Sequence, residues 1–333
     1  MRYLGYTLIG CLLFVCCGQK TAKAGDKTAT TTTSPATTTP SSTTTSPSSV
    51  EKPAAPVFDA DSAYSYIERQ VNFGPRVPNT PAHKACADYL ASTLARFGAK
   101  IYVQEANLTA YNGDRLEARN IIGSFNPDAA KRILLFAHWD TRPYADHDAS
   151  TVNHRKPIDG ADDGGSGVGA LLEIARQIMI LKLPETLGVD IIFFDAEDYG
   201  TPEFVSDHKP DTWCLGSQFW SKNPHVPAYK ADFGILFDMV GARGATFYKE
   251  TKSVRFASRY VEMVWAAARE LGYGKYFINA QGGEIIDDHQ YVITGRRIPC
   301  IDVINYNPRS ESGFGAHWHT LNDNMQNIDR QTL

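Results

Sequence analysis

The sequence predicts an α/β fold: a three-layer αβα sandwich around a central mixed, mostly parallel twisted sheet. Three observations carry that expectation. Val189–Asp195 and Phe233–Val240 are short apolar runs rich in β-branched and aromatic residues, as strands buried on both faces require. Helical patterns alternate with such runs, which places helices against a sheet. Arg119–Phe125 and Arg132–Ala137 follow one another closely and read as a hairpin, so the sheet is expected to be mixed.

The elements follow in order. Asp61 to Val71 reads as a helix stopped at Phe73-Gly74-Pro75. Thr80-Pro81 supplies a cap and a first-turn proline for a second helix, which runs to Phe97 before Gly98 ends it. Lys100 to Ala110 alternates as a strand does. After Gly164 a helix sets Val168, Leu171, Leu172, Ile174, Ala175 and Ile178 on one side. A long helix is expected over Ser253–Leu271 and a strand over Ile298–Ile304.

The 333 residues carry a net charge of −4, with 43% hydrophobic and 21% charged residues. Such values are ordinary for a globular protein and lack the basic excess of a nucleic-acid binder. The first 17 residues differ: Arg2 precedes the apolar run Leu8–Val15, too short to span a bilayer, and then Cys16-Cys17-Gly18. This reads as a signal peptide with a loose lipoprotein box. Lipidation would make Cys17 the mature N-terminus of a membrane-anchored periplasmic lipoprotein, with the bacterial inner membrane favoured. An ordinary cleaved signal is the alternative. Residues 18–57 are rich in Thr, Ser, Pro and Ala and are expected to be a disordered tether, because they offer little apolar surface to bury. The folded domain is expected over residues 58–333. Its Cys86, Cys214 and Cys300 form no CxxC pair, which argues against a cysteine metal site, and their pairing is left open.

Chemistry-bearing residues collect where predicted strands end. Asp195-Ala196-Glu197-Asp198 closes one strand, and extended geometry would turn Glu197 and Asp198 to opposite sides. His138-Trp139-Asp140 closes another, Asp238 a third. Gly160-Ala161-Asp162-Asp163-Gly164-Gly165 turns into a helix, Asp287-Asp288-His289 opens a short one, and His317-Trp318-His319-Thr320 comes near the end. Carboxylates and histidines converging from several strand ends suit a zinc site with N and O ligands. Singly each has a plainer reading: His138 as a satisfied core histidine, the glycines as a turn or phosphate cradle, Asp238 as a helix cap.

Taken in chain order the motifs resemble the M28-type zinc aminopeptidase superfamily and, within it, the type II glutaminyl cyclases, over about Asp61 to Asp329. The resemblance implies Asp163, Asp198 and His319 as ligands of one zinc. It implies Glu197 as general acid/base, with Asp238 and Asp287 completing an acidic hydrogen-bonding group. Trp318, His138 and His289 would belong to the substrate pocket. Asp287 matches the cyclases where aminopeptidases carry Ser, and Trp318 before His319 matches them too. The rival is a two-zinc aminopeptidase with His138 and Asp238 on the second metal; a metal-free adhesion or receptor domain is a third reading. Three departures stand out. Asp198 replaces a Glu of the animal cyclases. Ala137 and Val168 replace their disulfide cysteines, and Gly200-Thr201-Pro202-Glu203 leaves no evident counterpart of the Trp after their acidic pair. The implied activity converts N-terminal glutamine of peptides and exported proteins to pyroglutamate with loss of ammonia, by a monomer that binds no nucleic acid.

Overall fold

A computed structural model describes residues 56–333. The expected signal peptide with Cys17, and the expected tether apart from its last two residues, lie outside the described residues.

Among the described residues, eight strands and six α-helices follow in order: α1 Ala60–Val71, α2 Pro81–Arg96, β1 Lys100–Thr109, β2 Arg115–Phe125, β3 Lys131–His138, α3 Gly165–Leu181, β4 Leu187–Phe194, α4 Leu215–Lys222, β5 Phe233–Asp238, β6 Phe247–Lys249, α5 Thr251–Glu270, β7 Phe277–Gln281, α6 Asp288–Arg296 and β8 Cys300–Ile304. Six strands form one sheet in the order β1-β2-β4-β3-β5-β8, and β6 pairs with β7 apart from it. The β4–β3, β3–β5 and β5–β8 pairs are parallel; β1–β2 and β2–β4 are antiparallel. The sheet is thus mixed and mostly parallel, as expected.

The expected hairpin is corrected. Arg119–Phe125 does not pair with Arg132–Ala137, because β4 lies between them, Ile122 facing Ile192 and Phe136 facing Ile192 from the other side. Every residue of β4 is buried, and a strand so apolar is best placed in the middle of a sheet. The hairpin is instead β1–β2, closed through a turn in which the Ala110 N–H donates to the Asp114 carbonyl.

Alternation along the strands builds two cores. Val189, Ile191 and Phe193 face one side with Leu135, Ile235 and Ile301, covered by Leu90, Leu171 and Val261 of α2, α3 and α5. Ile192, Phe194, Phe136 and Leu236 face the other, covered by Trp220 of α4 and Val292 of α6. Three layers result because each sheet face is apolar and needs its own cover. The parallel strands β3, β4 and β5 all run the same way, so their carboxyl ends open on one edge of the sheet.

Candidate active site

Each parallel strand delivers a titratable group at that edge. β3 ends on His138, β5 ends on Asp238, and β4 hands over to Asp195–Asp198. The chain does not continue extended there. Ala196 has φ of 53° and Met239, after Asp238, of 48°. Such left-handed non-glycine residues are strained and cluster at functional sites. The bend changes how the acidic pair is presented: the Glu197 and Asp198 amides donate to the two oxygens of Asp140, at 3.1 and 3.2 Å. Alternation along a strand therefore does not set their directions; the Asp140 carboxylate does.

Asp163 arrives on the loop before α3. Its amide and that of Asp162 donate to the two oxygens of Asp323, at 3.1 and 2.8 Å. Gly167 lets the first turn of α3 press on β5, since a Cβ there would collide with the Phe237 carbonyl. His319 has φ of 52° and is sandwiched between Trp318, with centroids 3.8 Å apart, and Trp213.

These residues enclose a cavity of about 150 Å³, lined by Asp163, Glu197, Asp198, Asp238 and Asp287 on its acidic side. Trp213, Trp318, Phe314, Met239 and Ile285 supply the apolar side. That volume accommodates something the size of one small ring, which suits a single side chain.

The donor set fits zinc. His319 Nε2 lies 3.2 Å from Asp198 Oδ1 and 3.5 Å from Asp163 Oδ2. Bonds of about 2.0–2.2 Å in a tetrahedron put ligand atoms roughly 3.3 Å apart. Asp163 Oδ2 and both oxygens of Asp198 are buried and make no hydrogen bond, which is costly for carboxylates unless a cation is shared among them. Burial, with the Asp163 charge beside it, pushes Asp198 well above the usual carboxylate range. Burial and the neighbouring Arg142 hold His319 well below the usual imidazole range, which favours the neutral form an imidazole needs to bind a metal. Asp146 stands 3.7 Å behind its Nδ1, which makes no hydrogen bond.

His138 and His289 do not line the cavity. His138 is buried beneath it, Nε2 at 3.0 Å from Asp163 and 3.3 Å from Asp238, Nδ1 at 3.5 Å from Asp140. Although burial disfavours its charge, these carboxylates raise it well above the ordinary value. His289 is fully buried, with Nε2 at 3.2 Å from Glu250 and Nδ1 at 3.7 Å from Asp302. Asp287 caps α6 with one oxygen, at 2.5 Å from the Asp288 amide, while Oδ2 makes no hydrogen bond. Burial, then Asp302, Asp238 and Glu197, push it well above the carboxylate range. Burial likewise raises Glu197 to about 8, with Asp288 and Asp140 adding to the shift against the opposing His138 charge.

Sequence reasoning missed Trp213. It stands 15 residues beyond Asp198 in no recognisable motif, and Gly200 admits it: a Cβ on Gly200 would collide with the indole. A tryptophan of the pocket wall is therefore present after the acidic pair, though displaced along the chain. Arg142 was missed as well. Fully buried, it pairs with Asp146 at 2.7 and 2.6 Å and donates to the Asp198 carbonyl at 3.1 Å. Cys86, Cys214 and Cys300 are free and buried.

A mixed α/β sheet with buried carboxylates and a histidine gathered at its strand ends defines a zinc exopeptidase-like enzyme fold. Residues 120–333 match Peptidase family M28, and the chain belongs to that family. It is similar to a solved structure described as a Zn-dependent exopeptidase from Parabacteroides distasonis, at 71% identity and TM-score 0.82, covering 84% of this chain and 95% of that one. The solved glutaminyl cyclase of Tannerella forsythia is 74% identical with TM-score 0.81, covering 83% of this chain and 94% of that one. Among curated proteins, the glutaminyl-peptide cyclotransferase of Bos taurus is 27% identical over 283 residues, 78% of this chain and 74% of its own.

Proposed function

We propose that the chain is a zinc-dependent glutaminyl-peptide cyclotransferase that turns N-terminal glutamine into pyroglutamate and releases ammonia. The observation that carries this reading is the pairing of Glu197 and Asp287 in one small pocket beside the Asp163, Asp198 and His319 trio. We take that trio to hold one zinc, which when bound supplies a Lewis acid for the γ-carbonyl oxygen.

The residues of the chain do the rest. The α-amine and γ-carboxamide belong to one residue, so the pocket has mainly to fold the side chain back on its own amine. Trp213, Trp318 and Phe314 wall that space and keep out water, which would otherwise deamidate glutamine to glutamate. Glu197, raised to about 8, takes a proton from the attacking amine and returns one to the departing nitrogen. Asp287 and Asp238 hold that nitrogen. Protonation of Asp287 is favoured by its burial and by Asp302, Asp238 and Glu197 around it.

A two-metal peptidase is the rival reading, favoured by a second trio, His138, Asp163 and Asp238, whose ligand atoms also lie close together. We assign that place to the His138 imidazolium, because carboxylates face both of its ring nitrogens. Replacing Asp287 with Ser tests the choice. Cyclisation should be crippled with zinc retained; normal cyclisation by D287S would remove the basis for separating cyclase from peptidase.

We further propose residues 58–333 as the catalytic domain of a periplasmic lipoprotein held by Cys17, working as a monomer. Support for the anchor comes from Cys16-Cys17 behind an apolar run. No helix of the described residues is long and apolar enough to cross a membrane. Mass spectrometry of the mature N-terminus should find acyl groups on Cys17; an unmodified N-terminus beyond residue 17 would remove the anchor.

A further inference from the structure

We infer that Cys214 is a positioning residue for the acid–base carboxylate: its thiol holds one oxygen of Glu197 and leaves the other to act in the pocket. The inference rests on the cyclase reading of Glu197. Sγ lies 3.0 Å from Glu197 Oε1 as donor, while Oε2 is on the side of His138, 4.0 Å from Nδ1. A thiol is a weak donor, but a carboxylate acceptor strengthens the bond.

The thiol has no competing partner in solvent, being fully buried. Burial and the nearby Glu197, Asp288 and Asp287 carboxylates keep it protonated, well above the ordinary thiol range. It is therefore a donor throughout the working pH range. Of the three cysteines in the described residues, Cys300 donates instead to the Ile298 carbonyl, at 3.4 Å, and Cys86 packs in the apolar core.

The backbone holds the pair in register. The Cys214 amide donates to the Glu197 carbonyl at 2.9 Å, and the Leu215 amide to the Ala196 carbonyl at 3.0 Å. Asn120 ties both segments, accepting from the Asp195 amide at 3.0 Å and donating to the Gly216 carbonyl at 2.9 Å. Gly216 permits that approach, since a Cβ there would collide with the Asp195 carbonyl. Cys214 itself is left-handed, with φ of 56°, a strain retained where the surroundings dictate it. Ala196 on one segment and Cys214 on the other thus turn Glu197 and the thiol toward each other. Fixing one carboxylate oxygen limits the rotation of the group and aims the free oxygen, which is an orientation effect on rate and not on substrate affinity.

The test uses the zinc-loaded protein and a glutamine-initiated peptide. Cys214→Ala removes the donor and Cys214→Ser restores one. Losing one charge-assisted hydrogen bond should lower kcat roughly ten- to a hundredfold in Cys214→Ala, with KM and zinc content unchanged, and Cys214→Ser should recover most of the rate. In a Glu197→Gln background Cys214→Ala should have no further effect. Cys214→Gly, which adopts the left-handed backbone freely and also lacks a donor, repeats the measurement if Cys214→Ala is unstable. Normal kcat in a folded, zinc-loaded Cys214→Ala or Cys214→Gly protein would overturn the inference, as would an equal loss in the Glu197→Gln background. If the parent protein releases amino acids from peptides instead of cyclising them, the cyclase reading fails, and the same coupling measured on that reaction still tests the positioning role.

Discussion

The indole of Trp213 lies parallel to the imidazole of His319, with ring centroids 5.9 Å apart and planes 8° from coplanar. The other side of the arrangement is as fixed, because the Arg142 guanidinium sits 4.4 Å over the Trp213 ring and pairs with Asp146 behind His319. His319 is therefore held by ring packing on Trp213 and Trp318, with the Arg142–Asp146 pair behind it. Trp213→Ala should lower kcat/KM and weaken zinc binding by roughly tenfold each, the scale of a lost aromatic pair, while Trp213→Phe keeps most of both. Competition for zinc against a chromophoric chelator measures the second effect, and unchanged affinity in Trp213→Ala would contradict it.

Glu197 and Asp198 share the Asp140 clamp but are assigned different work. Glu197→Gln keeps shape and removes the proton shuttle. Its zinc content should match that of the parent, while kcat falls roughly 10²–10⁴-fold, the usual worth of a positioned acid or base. Loss of metal along with activity would instead make Glu197 a ligand.

Stability should depend on pH in a direction set by the buried acids. Burial raises Glu197 to about 8, Asp288 to about 7 and Asp323 to about 8, each helped by neighbouring carboxylates. Unfolded, such groups titrate near pH 4. Between pH 4 and about 8 the folded protein thus binds more protons than the unfolded one, and its stability falls as pH rises. Metal-free protein should lose melting temperature steadily from pH 5 to pH 8. Zinc favours the ionised carboxylates, so the zinc-loaded protein should show a flatter profile and the gain from zinc should grow with pH. A gain independent of pH would mean that these acids do not couple to the metal.

What could be read in the sequence was what local pattern encodes. The apolar runs of β4 and β5 located the sheet, and Thr80-Pro81 located the start of α2. Pairing was less legible: β2 and β3 are neighbours in sequence, yet β4 separates them, because burial of β4 outweighs proximity along the chain. Helix α5 begins two residues before its expected Ser253, since Glu250 caps it by accepting from the Lys252 and Ser253 amides, a task more often given to shorter side chains. In the site, residues at strand ends were visible because their neighbours form motifs. Trp213, Arg142 and Cys214 were not, since each acts through a contact made only by folding, over Gly200, Asp146 and Glu197. His289 shows the converse, a motif residue that folding turns away from the pocket toward Glu250.

The most direct measurement offers a glutamine-initiated and a leucine-initiated peptide to the same zinc-loaded protein and follows ammonia and free amino acid together. The account predicts ammonia from the glutamine peptide in step with loss of its free α-amine, one zinc per chain, and no leucine released. Free leucine appearing at a comparable rate, with a second zinc required, would contradict it.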